Sequence, residues 1–331
     1  MATTVGRFLS LCALLAIATL GLLTTPLSAQ APASPQLPPS HPPVVADDDE
    51  PSYIPQRVYD TQRKRFTDFE MMSADLARVD VVLVGEQHDD VNTHRLELAI
   101  LEGFARRHVP VTLSLEMFER DVQASVDTYV AGTGGEEDFL KGSRPWPRYS
   151  SDYRPLVEFA RTHKWPVVAA NVPRRIASDI AKSGRSAVDA LSQADRKLAA
   201  TELRCPHDEY FSRFAEQMGA HPAPGSGSGS GSSASDSTTE RYYWAQCMKD
   251  ETMAESIATA FAKLDGHPGA VVHFTGSFHS DYGEGTGERV RRRLAGRRVT
   301  TVSVVPVESL DDISADNDDL KRADYLVYTI K

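Results

Sequence analysis

Residues Val81 to His88, with the sequence VVLVGEQH, join a continuous apolar run to a glycine and three polar residues. A short run of β-branched residues without polar alternation is typical of a strand that is buried on both faces. A glycine directly after such a strand permits a tight turn, which returns the chain over the end of the strand. This stretch therefore predicts a central strand of a sheet that helices cover on both sides.

The same pattern recurs along the chain. Further apolar runs predict strands at 109–115, 166–170, 270–274 and 299–305. Helical periodicity fills the intervals, at 92–107, 119–131, 153–164, 173–182, 187–200 and 240–264. This alternation predicts an α/β fold with a mostly parallel central sheet and flanking helices. Because residues 183–264 contain no strand candidate, we expect them to form an inserted helical cap subdomain.

The N-terminal segment has the character of an export signal. Residues 1–29 combine Arg7, an apolar run and small residues before a cleavage site after Ala29. We therefore expect an exported protein of the periplasm or cell envelope. No lipid anchor is expected, because Leu11 rather than a small residue precedes Cys12.

Two segments are predicted to lack regular structure. Residues 30–56 are rich in proline and predict a disordered tether, and 223–236 are mainly glycine and serine and predict a flexible loop inside the cap. The folded α/β domain is then expected at 57–331. Cys205 and Cys247 flank the loop, and in an exported protein they form either a disulfide or two free thiols.

The charge of the chain argues against one class of partner. The 331 residues include 36 Lys and Arg against 46 Asp and Glu, which gives a net charge of −10 at pH 7. Such a surface repels a phosphate backbone, so nucleic acid is not an expected partner. The hydrophobic content of 41% is typical of a globular chain with one main core.

Polar residues follow four of the predicted strands: His88, Glu116, Asn171 and His279. The carboxyl ends of strands form the ligand-binding edge of an open α/β sheet. Two of these residues end a Gly-x-x-His motif, and two imidazoles with a carboxylate suit a divalent transition metal. We therefore predict a metal site formed by His88, Glu116 and His279, and the alternative is that each histidine only stabilises a turn.

Five motifs stand in order between residues 58 and 305: Val82–Asp89, Leu115–Met117, Ala170–Arg174, Ala245–Ala254 and Gly276–His279. Together they resemble the ChaN-like haem-binding uptake family, which is related to the Tiki metalloproteases, the TraB proteins and the erythromycin esterases. The resemblance implies an exported bacterial protein that binds haem for iron uptake or storage, with a haem transporter or receptor as partner. It also implies a tyrosine ligand on haem at a homodimer interface.

Several residues are candidates for contacts with haem. Tyr210 and Tyr153 are the candidate iron ligands, because each lies at the start of a predicted helix. His207 and Arg174 are candidate partners of an anionic group, and Gln246 lies on a helix face that can approach the sheet edge. For each tyrosine the alternative is a packed ring with a solvated hydroxyl.

Two other charged features are interpreted as solvated helix surface. They are His94 and the basic run Arg289 to Arg293. Neither is therefore expected to take part in a site.

Besides haem binding, two other functions are consistent with the residues. In a metal-dependent hydrolase the predicted metal site would activate water, assisted by Glu86 or Asn171. In a structural protein the polar strand ends would only satisfy one another. The Gly-x-x-His motifs are shared by the haem-binding and protease branches, whereas the motifs at 170–174 and 245–254 favour haem binding.

Overall fold

The stretch that begins at Val81 forms a central strand of an eight-stranded sheet in the computed structural model, which describes residues 54–220 and 232–331. The strands are β1 (Gln56–Asp60), β2 (Arg65–Thr67), β3 (Val81–Glu86), β4 (Val111–Glu119), β5 (Val167–Asn171), β6 (Ala270–Gly276), β7 (Val299–Val307) and β8 (Tyr325–Ile330). Their order across the sheet is β2-β1-β8-β7-β3-β6-β4-β5.

Most of the sheet is parallel. β3 pairs in parallel with β6 and β7, β4 with β5 and β6, and β7 with β8. Only β1 runs antiparallel to its neighbours, β8 and β2. The predicted α/β fold with a mostly parallel sheet and flanking helices is confirmed.

Helices occupy the connections between the strands. They are α1 (Phe69–Leu76), α2 (Val91–Arg106), α3 (Gln123–Val130), α4 (Glu136–Ser143), α5 (Tyr149–Asp152), α6 (Arg154–His163), α7 (Arg174–Ser183), α8 (Arg185–Asp189), α9 (Gln193–Arg196), α10 (Glu209–Ala220), α11 (Ser232–Ala262), α12 (Gly285–Arg293) and α13 (Asp319–Arg322). Single 3-10 turns lie at Arg120–Val122, Ser277–His279 and Asp281–Gly283. No helix of the described residues is long and apolar enough to cross a membrane.

Strand β3 contributes to the core on both faces of the sheet. Val82 and Val84 lie in one apolar cluster with residues of α2, whereas Val81 and Leu83 pack with residues of α11 and α12. Successive side chains of a strand point to opposite faces, so a strand between two helical layers needs an apolar residue at every position. This double burial explains the unbroken apolar run in the sequence.

The region predicted as a helical cap contains α8 to α11 and no strand within its described residues. It differs from the expectation in one respect, because Ala254 and Ile257 of α11 pack directly on the sheet beside Val81 and Leu83. The second half of α11 therefore belongs to the layer that covers the sheet. The described residues form one compact unit.

Three predicted segments lie wholly or partly outside the described residues. The signal peptide at 1–29 is one, and so are the tether up to residue 53 and residues 223–231 of the Gly/Ser loop. Gln56, the last residue of the predicted tether, already begins β1, and residues 232–236 of the predicted loop form the first turns of α11. Cys205 and Cys247 form a disulfide, with 5.8 Å between their Cα atoms.

Candidate functional site

Glu116 is the carboxylate that follows the apolar run of β4, and its side chain has three polar partners. Its Oε2 accepts hydrogen bonds from Thr275 Oγ1 at 2.5 Å and from the Gly276 amide at 2.9 Å. Its Oε1 lies 3.5 Å from His279 Nε2. Both donors come from the end of β6, so the parallel pairing of β4 with β6 creates this contact.

On its other side, His279 contacts Asp250 of helix α11. Its Nδ1 lies 2.7 Å from Asp250 Oδ1, and the same oxygen accepts from Thr286 Oγ1 at 2.9 Å. The second oxygen of Asp250 accepts from the Tyr210 hydroxyl at 2.8 Å, and Gln246 Nε2 donates to that hydroxyl at 3.0 Å. The imidazole thus lies between two carboxylates.

The two carboxylates favour the protonated form of His279. Burial alone would lower the pKa of His279, but the charges of Glu116 and Asp250 raise it above its usual value. Burial alone would likewise raise the pKa of Glu116, but neighbouring positive charges, with His279 the strongest, hold it at about 2. These pKa shifts favour an imidazolium at His279 and ionised carboxylates at Glu116 and Asp250.

This pairing predicts how stability depends on pH. The folded pKa of His279 is raised above 6.5, so its contribution is complete below pH 6.5 and is lost as the pH rises through the folded pKa. The contribution of Glu116 is present above pH 4.5 and is lost as the pH falls towards 2. We expect the difference in unfolding free energy between wild type and His279→Gln to shrink between pH 6 and pH 9 in urea titrations. A constant difference over that range would contradict the charged pair.

His88 lies at the same edge but has a different partner. Its Nδ1 is 2.5 Å from Glu86 Oε1, which also accepts from the Tyr153 hydroxyl at 2.8 Å. The His88 side chain is 46% exposed and meets Trp146 edge-on, with 5.2 Å between the ring centroids. A Cβ on Gly276 would stand 2.7 Å from His88 Nε2, so only glycine leaves room for the ring.

The three predicted metal ligands share this edge, yet they do not form a metal-sized set in the structure. Among the described residues, the set whose ligand atoms all lie within 4.8 Å of one another is Glu86, His94 and Glu97. The interpretation of His94 as a solvated residue is wrong, because its side chain is buried against Tyr153. Its spacing on α2 gave no sign of this, since the contact comes from α6 packing beside α2.

The two candidate tyrosines are buried inside the hydrogen-bond network. Tyr210 donates to Asp250 and Tyr153 donates to Glu86. Burial and the adjacent carboxylate raise the pKa of each hydroxyl. A tyrosine that ligates ferric iron must lose its proton. The raised pKa of Tyr210 and of Tyr153 opposes that loss. Tyr242 on α11, in contrast, is 36% exposed.

The remaining predicted residues have local partners. Asn171 Nδ2 donates to the Glu116 carbonyl at 3.2 Å, and its side-chain oxygen accepts from the Val172 amide, so it links the ends of β4 and β5. Arg174 is exposed and has no ion pair within the described part of the chain. His207 Nε2 lies 2.8 Å from Glu240 Oε2 at the surface.

The basic run is not a solvated face. Arg289 is buried, and Arg289, Arg292 and Arg293 all surround the fully buried Glu251 of α11. The packing of α12 against α11 brings the charges together, which explains why the interpretation from sequence was wrong. Lys249 is a further residue that the sequence did not single out, and its charge acts on His88, Glu116 and His279.

A parallel sheet with charged side chains at its carboxyl edge defines an α/β protein with a ligand site at its strand ends. The family described as "Haem-binding uptake, Tiki superfamily, ChaN" matches residues 72–290, and the chain belongs to this family. The predicted resemblance is thereby confirmed, and so is haem as the cofactor of the family.

Several solved structures resemble the chain, and the first of them shows its fold. ChaN of Campylobacter jejuni, solved in a study of cofacial haem binding, has a TM-score of 0.59 at 17% identity, over 83% of this chain and 97% of that chain. An erythromycin esterase mutant in its open conformation has a TM-score of 0.46 at 10% identity, over 83% and 97% of the two chains. A succinoglycan biosynthesis protein has a TM-score of 0.47 at 10% identity, over 79% and 90%. No curated protein matches the chain.

Proposed function

We propose that this chain is an exported haem-binding protein that serves haem or iron uptake or storage at the cell envelope. The observation that carries the proposal is the family match over residues 72–290. Haem is the cargo, and it would supply the ferric iron that a phenolate oxygen of the protein ligates.

The exposed side of α11 fits the iron and its propionates better than the buried tyrosines do. Tyr242 and Lys249 are seven residues apart, which places them on one face of the helix and about 10 Å apart along its axis. The Tyr242 hydroxyl has no carboxylate partner within the described residues. Lys249 likewise has no carboxylate within 4.0 Å in the part of the chain that the structure describes. An exposed phenol can lose its proton to iron, and an unpaired ammonium can bind a propionate.

His88 and Trp146 add two aromatic rings to this edge, packed edge to face. Both rings are partly exposed, and the positive charge of Lys249 acts on His88. His88 also has a buried carboxylate on its Nδ1, an arrangement that fixes the orientation of an imidazole. We infer that His88 contacts the haem face or its iron from the side of the sheet, while Tyr242 approaches from α11.

A homodimer with haem between the subunits is part of the proposal. It is supported by the cofacial haem binding described for ChaN of Campylobacter jejuni. An exposed ligand such as Tyr242 leaves one haem face open, and a second copy would cover that face. Sedimentation velocity with and without haemin tests this step, and a monomer that stays a monomer at saturating haemin would exclude the dimer. A transporter or receptor is the expected partner.

Haemin titration of the mature chain tests the ligand. We expect Tyr242→Phe to lose the tyrosinate charge-transfer band and to bind haemin about 10-fold or more weakly, since even an outer partner of a metal ligand is worth about 10–100-fold. Tyr210→Phe and Tyr153→Phe are matched controls that should keep the band. A band that disappears in either control but persists in Tyr242→Phe would return the assignment to the buried tyrosines.

A further inference from the structure

We propose that Glu86, His94 and Glu97 form a binding site for one divalent transition metal, buried beneath the haem-binding edge and separate from it. The site joins the end of β3 to the first turns of α2, where His94 and Glu97 lie three residues apart on one helix face. The proposed metal site does not require bound haem, although Glu86 also holds His88 at the haem-binding edge.

The ligand atoms are already close together. One nitrogen or oxygen from each of the three side chains lies within 4.8 Å of the other two. All three residues are buried, with 1%, 4% and 0% exposure for Glu86, His94 and Glu97. His94 Nδ1 lies 3.0 Å from Glu97 Oε2, a separation that neighbouring ligands of one ion also show. A small adjustment of side chains would place an ion between them.

The surroundings of His94 determine which ring nitrogen is free. Its Nε2 lies 3.2 Å from the His88 carbonyl oxygen and 3.5 Å from Asp152 Oδ2. Arg148 Nε is 2.8 Å from the same oxygen of Asp152. Both neighbours of Nε2 are acceptors, so Nε2 is a ring nitrogen that carries a hydrogen. Nδ1 faces Glu97 Oε2, and a metal ion or a proton between these two atoms would join them.

Two carboxylate oxygens of the site lack a donor. Glu86 Oε2 and Glu97 Oε1 are buried and have no hydrogen-bond donor apart from a proton that the two carboxyl groups would share. An unpaired buried carboxylate oxygen is costly, because its hydration is lost without replacement. A metal ion would satisfy both oxygens together with His94 Nδ1. One imidazole and two carboxylates suit manganese, iron, cobalt or zinc.

The residues around the set have the arrangement of an outer ligand shell. A metal-bound histidine usually donates its other ring hydrogen to a carbonyl or carboxylate, as His94 does towards His88 and Asp152. Glu86 uses its other oxygen to hold His88 and Tyr153. The competing occupant is a proton, since burial and the charge of Glu86 raise the pKa of Glu97.

Equilibrium dialysis of the haem-free mature chain against Mn²⁺ and against Zn²⁺, followed by elemental analysis, tests the site. We expect one ion per chain, with the affinity lowered about 10-fold or more in Glu97→Gln and in His94→Gln. His279→Gln is the control that distinguishes this site from the Glu116–His279 pair. This variant should bind the ion as the wild type does. Near-ultraviolet circular dichroism identifies any variant that has not folded.

Anomalous diffraction from metal-soaked wild-type crystals locates the ion without any variant. A peak between Glu86, His94 and Glu97 supports the proposal. No stoichiometric metal in the wild type would overturn it in favour of a shared proton. A peak beside Glu116 and His279, or loss of metal in His279→Gln alone, would also overturn it, and haemin titration of the same samples reports on haem binding separately.

Discussion

Replacing Glu251 with glutamine is expected to lower the free energy of unfolding by about 3–5 kcal/mol, the usual cost of breaking a buried ion pair. Glu251 is fully buried, and its Oε1 lies 2.7 Å from Arg292 and 3.4 Å from Arg289. Its Oε2 lies 2.5 Å from Arg293. Glutamine keeps the shape of the side chain but removes the fully buried carboxylate charge that pairs with all three guanidinium groups, two of which are largely buried.

Urea unfolding of Glu251→Gln and of a matched control checks this prediction. Glu288 also pairs with Arg292, at 3.1 Å, but its side chain is 53% exposed. We expect Glu288→Gln to cost less than about 1 kcal/mol, because water screens an exposed pair. Equal losses in the two variants would show that burial of the Glu251 cluster does not matter for stability.

The double variant Cys205→Ser/Cys247→Ser is expected to lose about 4 kcal/mol of unfolding free energy. The bond closes a loop with a sequence separation of 42 residues, and this loop includes residues 221–231, which lie outside the described part of the chain. Closing a loop of this length removes about that much entropy from the unfolded chain. The disulfide also holds the segment before α10 against α11, where the Tyr243 hydroxyl donates to the Pro206 carbonyl at 2.7 Å.

Unfolding with and without a reductant measures the contribution of the disulfide. The reductant should lower the stability of the wild type to that of the double variant and should leave the double variant unchanged. An oxidised wild type that is no more stable than the double variant would contradict the prediction. The Glu251→Gln and disulfide effects should add to within about 0.5 kcal/mol only if the two sites are independent, and Arg289 beside Cys247 is the residue through which they would couple.

The sequence predicted which residues lie at the carboxyl ends of the parallel strands, but it did not predict all of their side-chain partners. Glu116 and His279 were expected to meet because parallel strands end at one edge, and they do, at 3.5 Å. The partner of His88 is Glu86, two residues before it, because the turn after β3 folds the imidazole back over its own strand. Asp250 reaches His279 only through the packing of α11, so strand order alone could not predict that contact.

Strands β1, β2 and β8 were not predicted. β1 and β2 have three to five residues and are only partly buried, so they show no continuous apolar run. The residues of β8 are mostly buried, but the strand lies at the end of the chain and follows β7 after a short helix rather than a clear helical repeat. These elements complete the sheet through pairings that join opposite ends of the chain, such as Gln56 with Thr329.

By itself, the sequence determined the alternation of strands and helices, the central parallel strands and the family, because those follow from local periodicity and from motifs read in order. Only the tertiary structure decided which charges are buried and which hydroxyls are free. In the structure, Arg289 and His94 are buried and Tyr242 is exposed. Tyr210 and Tyr153 donate hydrogen bonds to carboxylates. Their partners come from other elements, so the state of each side chain depends on how helices pack rather than on its own neighbours in the chain.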